Sequence, residues 1–417
     1  MIAQPQILFR GIDKTMLMVA AMLLLIGLTM IASASIDIAE ARNGNSFHYV
    51  IRHGIFILLG LVAALFVYQL PTQWWQQTGW VALTVSLLLL VIVLIPGIGR
   101  EVNGSVRWIS FGGLNLQPSE LAKLFLVAYL AGYLVRRREE VVSSWWGFIK
   151  PMLVLMVAAV LLLAEPDFGA TVVIGTAFMG MIFLSGARVG QFLLLIAGCL
   201  VSVVLLVLSQ PYRLKRLTGY TDPWADQYAS GYQLTQSLIA FGRGDIAGVG
   251  LGNSIQKQFY LPEAHTDFVF AILAEEFGLF GTLVVIGLFA LLVYRICKTA
   301  FKAEQSKQLF SAYLTYGIAI LFGVQAFINM GVNMGLLPTK GLTLPLVSYG
   351  GSSLIVSCMC LGIVARVQKE LADPKVQQVS QEQQDTELRR EKTGYRSALD
   401  ARKTAKSSDY QRGAYAR

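Results

Sequence analysis

The sequence predicts an all-α polytopic membrane protein of about ten transmembrane helices, with both termini cytoplasmic. Three observations predict it. Hydrophobic residues make up 55% of the 417 and charged residues only 14%, with a mean hydropathy of +0.58. Apolar runs recur near the length of about 20 residues that a helix needs to cross a bilayer. Basic clusters fall at the ends of these runs in the alternating pattern that membrane topology requires.

Pro, Gly and charge clusters divide the apolar runs into spans near residues 15–36, 53–70, 79–96, 116–135, 151–164, 168–186, 189–209, 268–295, 309–335 and 350–367. Residues 1–14 precede the first span. That span ends in Ala32-Ser33-Ala34, which mimics a signal-peptidase site, but its apolar stretch is longer than a usual signal h-region and is expected to be retained. Arg10 and Lys14 precede the first span, Arg136-Arg137-Arg138 follow the fourth and Arg188 the sixth. Arg295, Lys298, Lys302 and Lys307 follow the eighth, and a Lys/Arg-rich segment follows the tenth. These positions mark the cytoplasmic side, and an even number of spans returns both termini to it. Four segments are left outside: 97–115, Glu165-Pro166-Asp167, the long loop 210–267, and 336–351. Residues 15–367 thus form one transmembrane unit. The segment 368–417 has few large apolar residues and mixed charge, and is expected to be disordered.

Composition also excludes functions. Cys199, Cys297, Cys358 and Cys360 all lie in apolar runs, so neither a disulfide framework nor a zinc site is indicated. The net charge of +9 is explained by orientation in the membrane rather than by nucleic acid. No Walker loop, HExxH, GxSxG or Cys/His cluster is present, which argues against ATP hydrolysis and zinc chemistry.

Charge that remains among the apolar runs marks candidate chemistry, because an ionised group in hydrocarbon is costly. In YLPEAHTDFVFAILAEEFG, residues 260–278, Asp267 stands at the rim of a long apolar run. From Phe268 to Arg295 such a helix would extend roughly 42 Å against a hydrocarbon core of about 30 Å, so it must tilt, break or start above the bilayer. Gly278 and Gly281 offer the break. A rim carboxylate has its pKa raised by desolvation, which suits a general base; a helix cap, with Thr266 and Asp267 before the run, is the structural alternative. Glu275 and Glu276 lie about 80° and about 180° round a straight helix from Asp267, so both cannot share its face, and pairing with cations inside the bundle is expected. In NGSVRWISFGGLNLQPSELAKLF, residues 103–125, Pro118 and Glu120 are ordinary helix-start signals, while Lys123 inside the run is placed to pair with Glu120 or to face a cavity. Pro338-Thr339-Lys340-Gly341 and Gly350-Gly351-Ser352-Ser353 bracket an outer loop, either a tight connection or a backbone and lysine cradle for an anion.

The segments 231–278 and GLLPTKGLTLPLVSYGGSS, 335–353, closely resemble the SEDS family of shape, elongation, division and sporulation proteins. The resemblance runs from about residue 15 to 367 and includes RW at 107–108, QPSE at 117–120 and EPD at 165–167. FGRG at 241–244, GNSIQK at 252–257 and LPTKGLTLP at 337–345 look like the division branch of the family rather than the elongation branch. The resemblance implies a SEDS fold and a peptidoglycan glycosyltransferase that polymerises lipid II at the septum, on the periplasmic side of the bacterial inner membrane. It places the catalytic aspartate at Asp267. It places substrate contacts at Arg107, Trp108, Gln117, Glu120, Lys123, Glu165, Asp167, Gln233, His265, Lys340 and Ser348. It implies membrane lipids, the class B penicillin-binding protein FtsI, and FtsQ, FtsL and FtsB as partners, with no nucleic acid. A divalent metal, magnesium or manganese, enters as a cofactor that the residues do not specify. Phe259 is a departure, since some relatives carry an acidic residue before YLPE. A lipid II flippase would use similar intramembrane charge, though no clear internal repeat supports it. A non-catalytic division scaffold would not need Asp267.

Overall fold

The computed structural model describes residues 11–102, 105–111, 114–194, 196–198, 222–225, 227–228, 231–338 and 341–374. Its helices are α1 (Lys14–Asn43), α2 (His48–Gln69), α3 (Thr72–Gln77), α4 (Gly79–Val93), α5 (Pro118–Arg136), α6 (Arg138–Ser143), α7 (Trp145–Ala164) and α8 (Phe168–Leu184). They continue with α9 (Tyr232–Gly244), α10 (Val269–Gln305), α11 (Leu309–Asn333) and α12 (Gly351–Leu371). Seven helices are long and apolar enough to cross a membrane, and three shorter apolar helices, Gly79–Val93, Phe168–Leu184 and Val189–Gly198, fall on the remaining expected spans. The rest of the span expected at 189–209 lies outside the described residues, as does part of the loop 210–267.

Local chemistry sets the helix starts. Asp13 caps α1 by accepting from the amides of Thr15 (2.9 Å) and Met16 (3.3 Å). Pro118 opens α5, where its missing N–H costs nothing, and Asp167 caps α8 by accepting from Ala170 N at 3.1 Å. Small residues let two helices approach closely. A Cβ on Gly60 of α2 would stand 3.0 Å from Cys358 Sγ of α12, and one on Gly362 would stand 2.5 Å from the Ala64 carbonyl. Cys358 and Cys360 are buried here, as core residues.

Three features depart from the expected elements. The segment 97–115, read as a Gly-rich loop, forms an antiparallel sheet of β1 (Gly99–Val102), β2 (Ser105–Phe111) and β3 (Leu114–Leu116), in the order β1-β2-β3. Alternating Val106, Trp108 and aromatic neighbours favour strand over loop. α9 is a thirteen-residue helix within the outer loop. α7 starts at Trp145, with Ser144 as cap, so Pro151 lies inside it rather than at its start.

α10 runs 37 residues and breaks at Gly278, whose φ of 64° and ψ of −160° are open to glycine alone. Breaking a helix frees backbone groups that apolar surroundings cannot satisfy. The segment after α9 takes them up: Val249 N donates to Glu275 O and Gly250 N to Glu276 O, both at 3.0 Å, while Leu279 N donates to Asp245 O at 2.8 Å. This strap fits because it carries glycines; a Cβ on Gly244 would stand 1.9 Å from Ala274 O and one on Gly248 2.2 Å from Glu276 O. The two glutamates before the break are buried and paired, Glu275 with Arg243 and Glu276 with Lys257 at 2.9 Å.

The described chain ends meet. Asp13 N donates to Gln368 Oε1 (2.9 Å), Asp13 accepts from Arg295 Nε (2.5 Å), and Gln368 Nε2 donates to Thr299 Oγ1 (2.8 Å), joining α1, α10 and α12 at one end of the bundle. We expect Gly278→Ala to lower stability by about 3 kcal/mol or more, from the disallowed backbone and the clash with the strap. A melting curve in detergent, with loss of more than about 5 °C, is the check.

Candidate active site

The end of the bundle opposite residues 11–13 and 368–372 gathers the described parts of the four segments expected outside. β2 carries Arg107 at a bulge: Arg100 pairs with Trp108 and Glu101 with Val106, so Arg107 has no cross-strand partner. Its guanidinium donates through Nε to the Glu165 carbonyl (3.3 Å) and through Nη2 to the Pro166 carbonyl, clasping the turn between α7 and α8. Gln117 reaches the same turn with Nε2 on Asp167 Oδ2 (3.3 Å), beside Ser119 Oγ at 2.8 Å, while its backbone N–H donates to Ser352 Oγ (2.9 Å) at the start of α12. Tyr349 N donates to His265 O at 3.0 Å, joining the loop before α12 to the loop before α10.

Asp267 sits where these segments converge. A Cβ built on Gly341 would lie 3.1 Å from Asp267 Oδ2 and 4.0 Å from Arg107 Nη1, so glycine at 341 leaves the gap between carboxylate and guanidinium open. Phe268, not Asp267, is the N-cap residue of α10, and the Asp267 side chain accepts no capping hydrogen bond. Its backbone carbonyl is held by Asn329 Nδ2 (2.9 Å) and Asn333 Nδ2 (3.0 Å). Burial pushes the carboxyl up to about 7; Glu263 adds to the rise, Arg107 opposes it, and Asp167 adds further.

Glu165 is fully buried, and neither of its carboxylate oxygens has a hydrogen-bond partner. Burial pushes it up to about 8, with Asp167 adding and Arg107 opposing. Asp167, in contrast, is buried with both oxygens engaged. Trp108 is half-buried beside Arg107 on β2. Glu120 and Lys123 are buried and form an ion pair of 2.8 Å, and Lys123 also donates to Gln325 Oε1 at 2.6 Å, so its ammonium is engaged within the bundle. His265 is buried with its ring 4.7 Å from Tyr49 and 5.7 Å from Tyr349. Burial lowers its pKa and Glu263 opposes the shift. Ser348 braces the 341–350 loop by accepting from Leu344 N at 2.8 Å. Gln233, in the first turn of α9, makes no hydrogen bond to these residues among the described ones. Lys340 lies outside the described residues. Phe259 is 61% exposed.

Residues that the sequence did not single out hold the site. Gln325, Asn329 and Asn333 stand four apart on α11, and each donates to the backbone of the site loops. Their signal was present: three amides at helical spacing within an apolar run. Among the described residues no group of three His, Cys, Asp or Glu side chains could by itself hold a metal ion.

The sequence profile of the cell cycle proteins FtsW, RodA and SpoVE matches residues 13–373. The chain is 59% identical over 359 residues to the "Probable peptidoglycan glycosyltransferase FtsW" of Hahella chejuensis, covering 86% of this chain and 90% of that one. It is 60% identical over 351 residues to the protein of the same name from Marinobacter nauticus, covering 84% and 88%. Among solved structures it is similar to a chain of a peptidoglycan synthase complex that coordinates polymerization and crosslinking, with a TM-score of 0.71, 28% identity, and 86% and 98% of the two chains covered. It is also similar to the rod shape determining protein RodA of Thermus thermophilus, with a TM-score of 0.65, 27% identity, and 87% and 98% covered.

The unpartnered carboxyl of Glu165 makes a prediction. A carboxyl that ionises near 4 when unfolded but at about 8 when folded costs stability progressively as pH rises between those values. Glu165→Gln is therefore expected to melt higher than the parent at about pH 8.5, with the difference closing by about pH 4, as read by thermal melts in detergent across that range.

Proposed function

The chain belongs to the FtsW, RodA and SpoVE family of cell cycle proteins, and from that membership we propose that the site performs glycosyl transfer with Asp267 as its general base. The protein is an integral membrane peptidoglycan glycosyltransferase. The observation that carries the assignment to Asp267 is its carboxyl, raised to about 7 and standing with Arg107 around the open face of Gly341. A base is most effective when its pKa lies near the working pH.

Extension of a glycan requires an acceptor hydroxyl to attack the anomeric carbon of a lipid-linked donor. One C–O bond forms there, the bond from that carbon to the lipid diphosphate breaks, and the hydroxyl proton passes to Asp267. The donor carbon gains oxocarbenium character while negative charge moves onto the leaving diphosphate. Arg107, held by the 165–166 carbonyls, and Lys340 supply positive charge for that group. Lys123 acts at one remove, through Gln325 and the 343 carbonyl. A magnesium or manganese ion would meet the Asp267 carboxylate together with substrate phosphates, a mixture such ions accept; no step here depends on it.

The site would face the periplasm. Arg136, Lys302 and Lys369 lie in the last turns of helices that run away from it, which fits a cytoplasmic opposite end. Likeness to a synthase complex that joins polymerization to crosslinking supports lipid II as substrate and a class B penicillin-binding protein, FtsI, as partner. FtsQ, FtsL, FtsB and the division septum belong to the same reading, from the likeness to FtsW.

Polymerisation of purified lipid II by the full-length protein, co-purified with its crosslinking partner and read on a glycan gel, tests the assignment. Asp267→Asn is expected to lose a factor of about 10² to 10⁴ while remaining folded. Equal polymer from both proteins would remove Asp267 as the base. The rate should fall as pH drops through about 7, because the base must be unprotonated. Glu263→Gln removes a neighbouring negative charge, so it should move this acid limb to lower pH; an unmoved limb would show that another group sets it.

A further inference from the structure

Gln325, Asn329 and Asn333 form a stripe along α11, buried at 4%, 2% and 0% exposure. Asn329 holds a particular place in it. Its Nδ2 donates to the Leu342 carbonyl (2.6 Å) and to the Asp267 carbonyl (2.9 Å), so one amide bridges the two segments that meet at the Asp267 carboxylate. Leu342 follows Gly341, the residue whose missing side chain keeps Asp267 Oδ2 and Arg107 apart from any obstruction. Asn333 donates to the same Asp267 carbonyl at 3.0 Å and accepts from Ala271 N at 3.1 Å, which fixes the first turn of α10.

A second observation separates this bridge from ordinary packing. The other amide atom of Asn329, Oδ1, is buried and has no hydrogen-bond partner among the described residues. A buried acceptor without a donor costs stability, and an apolar side chain of similar size would avoid that cost. A half-satisfied amide kept inside a membrane-spanning helix breaks a local rule of stability, and such breaks concentrate where function needs them.

We propose that Asn329 is a positioning residue for glycosyl transfer: by bridging the Asp267 and Leu342 carbonyls it fixes the Asp267 carboxylate against Gly341, without itself meeting the substrate. This rests on Asp267 being the base. Misplacing a catalytic group by about 1 Å can cost a factor of about 10² in rate, which is the scale on which such a bridge acts. It should therefore act on turnover rather than on binding.

The test measures lipid II polymerisation at varied substrate concentration by the full-length protein with its crosslinking partner, comparing the parent, Asn329→Leu, Asp267→Asn, Asp267→Glu and Asn329→Leu/Asp267→Glu. Asn329→Leu removes an unpaired polar atom but leaves the Leu342 carbonyl without its donor, so it is expected to fold and to melt within about 6 °C of the parent. It should nevertheless lose about 30-fold or more in kcat, with KM within about threefold. In the Asp267→Glu background, where the carboxylate is already displaced, the same change should add less than about threefold. Parental kcat in Asn329→Leu beside an inactive Asp267→Asn would overturn the bridge and leave the base intact. Full activity in Asp267→Asn would overturn the base and the bridge with it. Losses that multiply in the double variant, or a KM effect alone, would show that Asn329 acts elsewhere. If Asn329→Leu does not fold, Asn329→Ser, too short to span both carbonyls, carries the same comparisons.

Discussion

A backbone amide or carbonyl taken out of water has to find a partner inside the protein, and the irregular parts of this fold are organised around that requirement. Helices satisfy it internally, so each departure from helix needs donors or acceptors brought from elsewhere. At Gly278 they come from the 245–250 strap. At Asp267 they come from two asparagines of α11, and at Glu165 and Pro166 from Arg107. The places where the chain leaves regular structure are thus the places where distant segments are fastened together, and the candidate active site is assembled from these fastenings.

The buried carboxylates divide by what surrounds them. Glu120, Glu275 and Glu276 each have a cation in direct contact, Lys123, Arg243 and Lys257, and they lie in or between helices. Breaking such a pair strands a charge, so these residues are expected to matter for folding. Glu165 and Asp267 have no such cation bond among the described residues, and their protons are held to about 8 and about 7. Arg107 lies close enough to moderate both without neutralising either. Chemistry and architecture therefore use the same residue type in two electrostatic settings.

Much of this was legible in the sequence because hydropathy and charge position are one-dimensional signals. The spans, the break in α10, the Glu120–Lys123 pair and the pairing of Glu275 and Glu276 all follow from spacing along one chain. The grouping of Arg107, Gln117, Asp167 and Asp267 follows from resemblance, because nothing in the spacing brings 107 to 165 or 267 to 341. The sheet at 99–116 was hidden by glycines that read as loop, yet it carries Arg107, at its bulge, to the 165–166 turn. Gln325, Asn329 and Asn333 were passed over for a different reason: polar but uncharged amides barely interrupt an apolar run, so they raise no alarm in a reading based on charge.

The junction of the chain ends has a practical side. A Cβ on Gly11 would stand 2.4 Å from Ala372 Cβ, and Asp13, Arg295, Thr299 and Gln368 interlock just beneath. The backbone at residues 11 and 372 therefore comes together at one spot, at the far end of the bundle from Asp267. A pair of probes attached at residues 11 and 372 would sit side by side and would read the state of this lock. A bulky side chain at residue 11 would press on Ala372, so the size of a probe governs whether the lock stays closed.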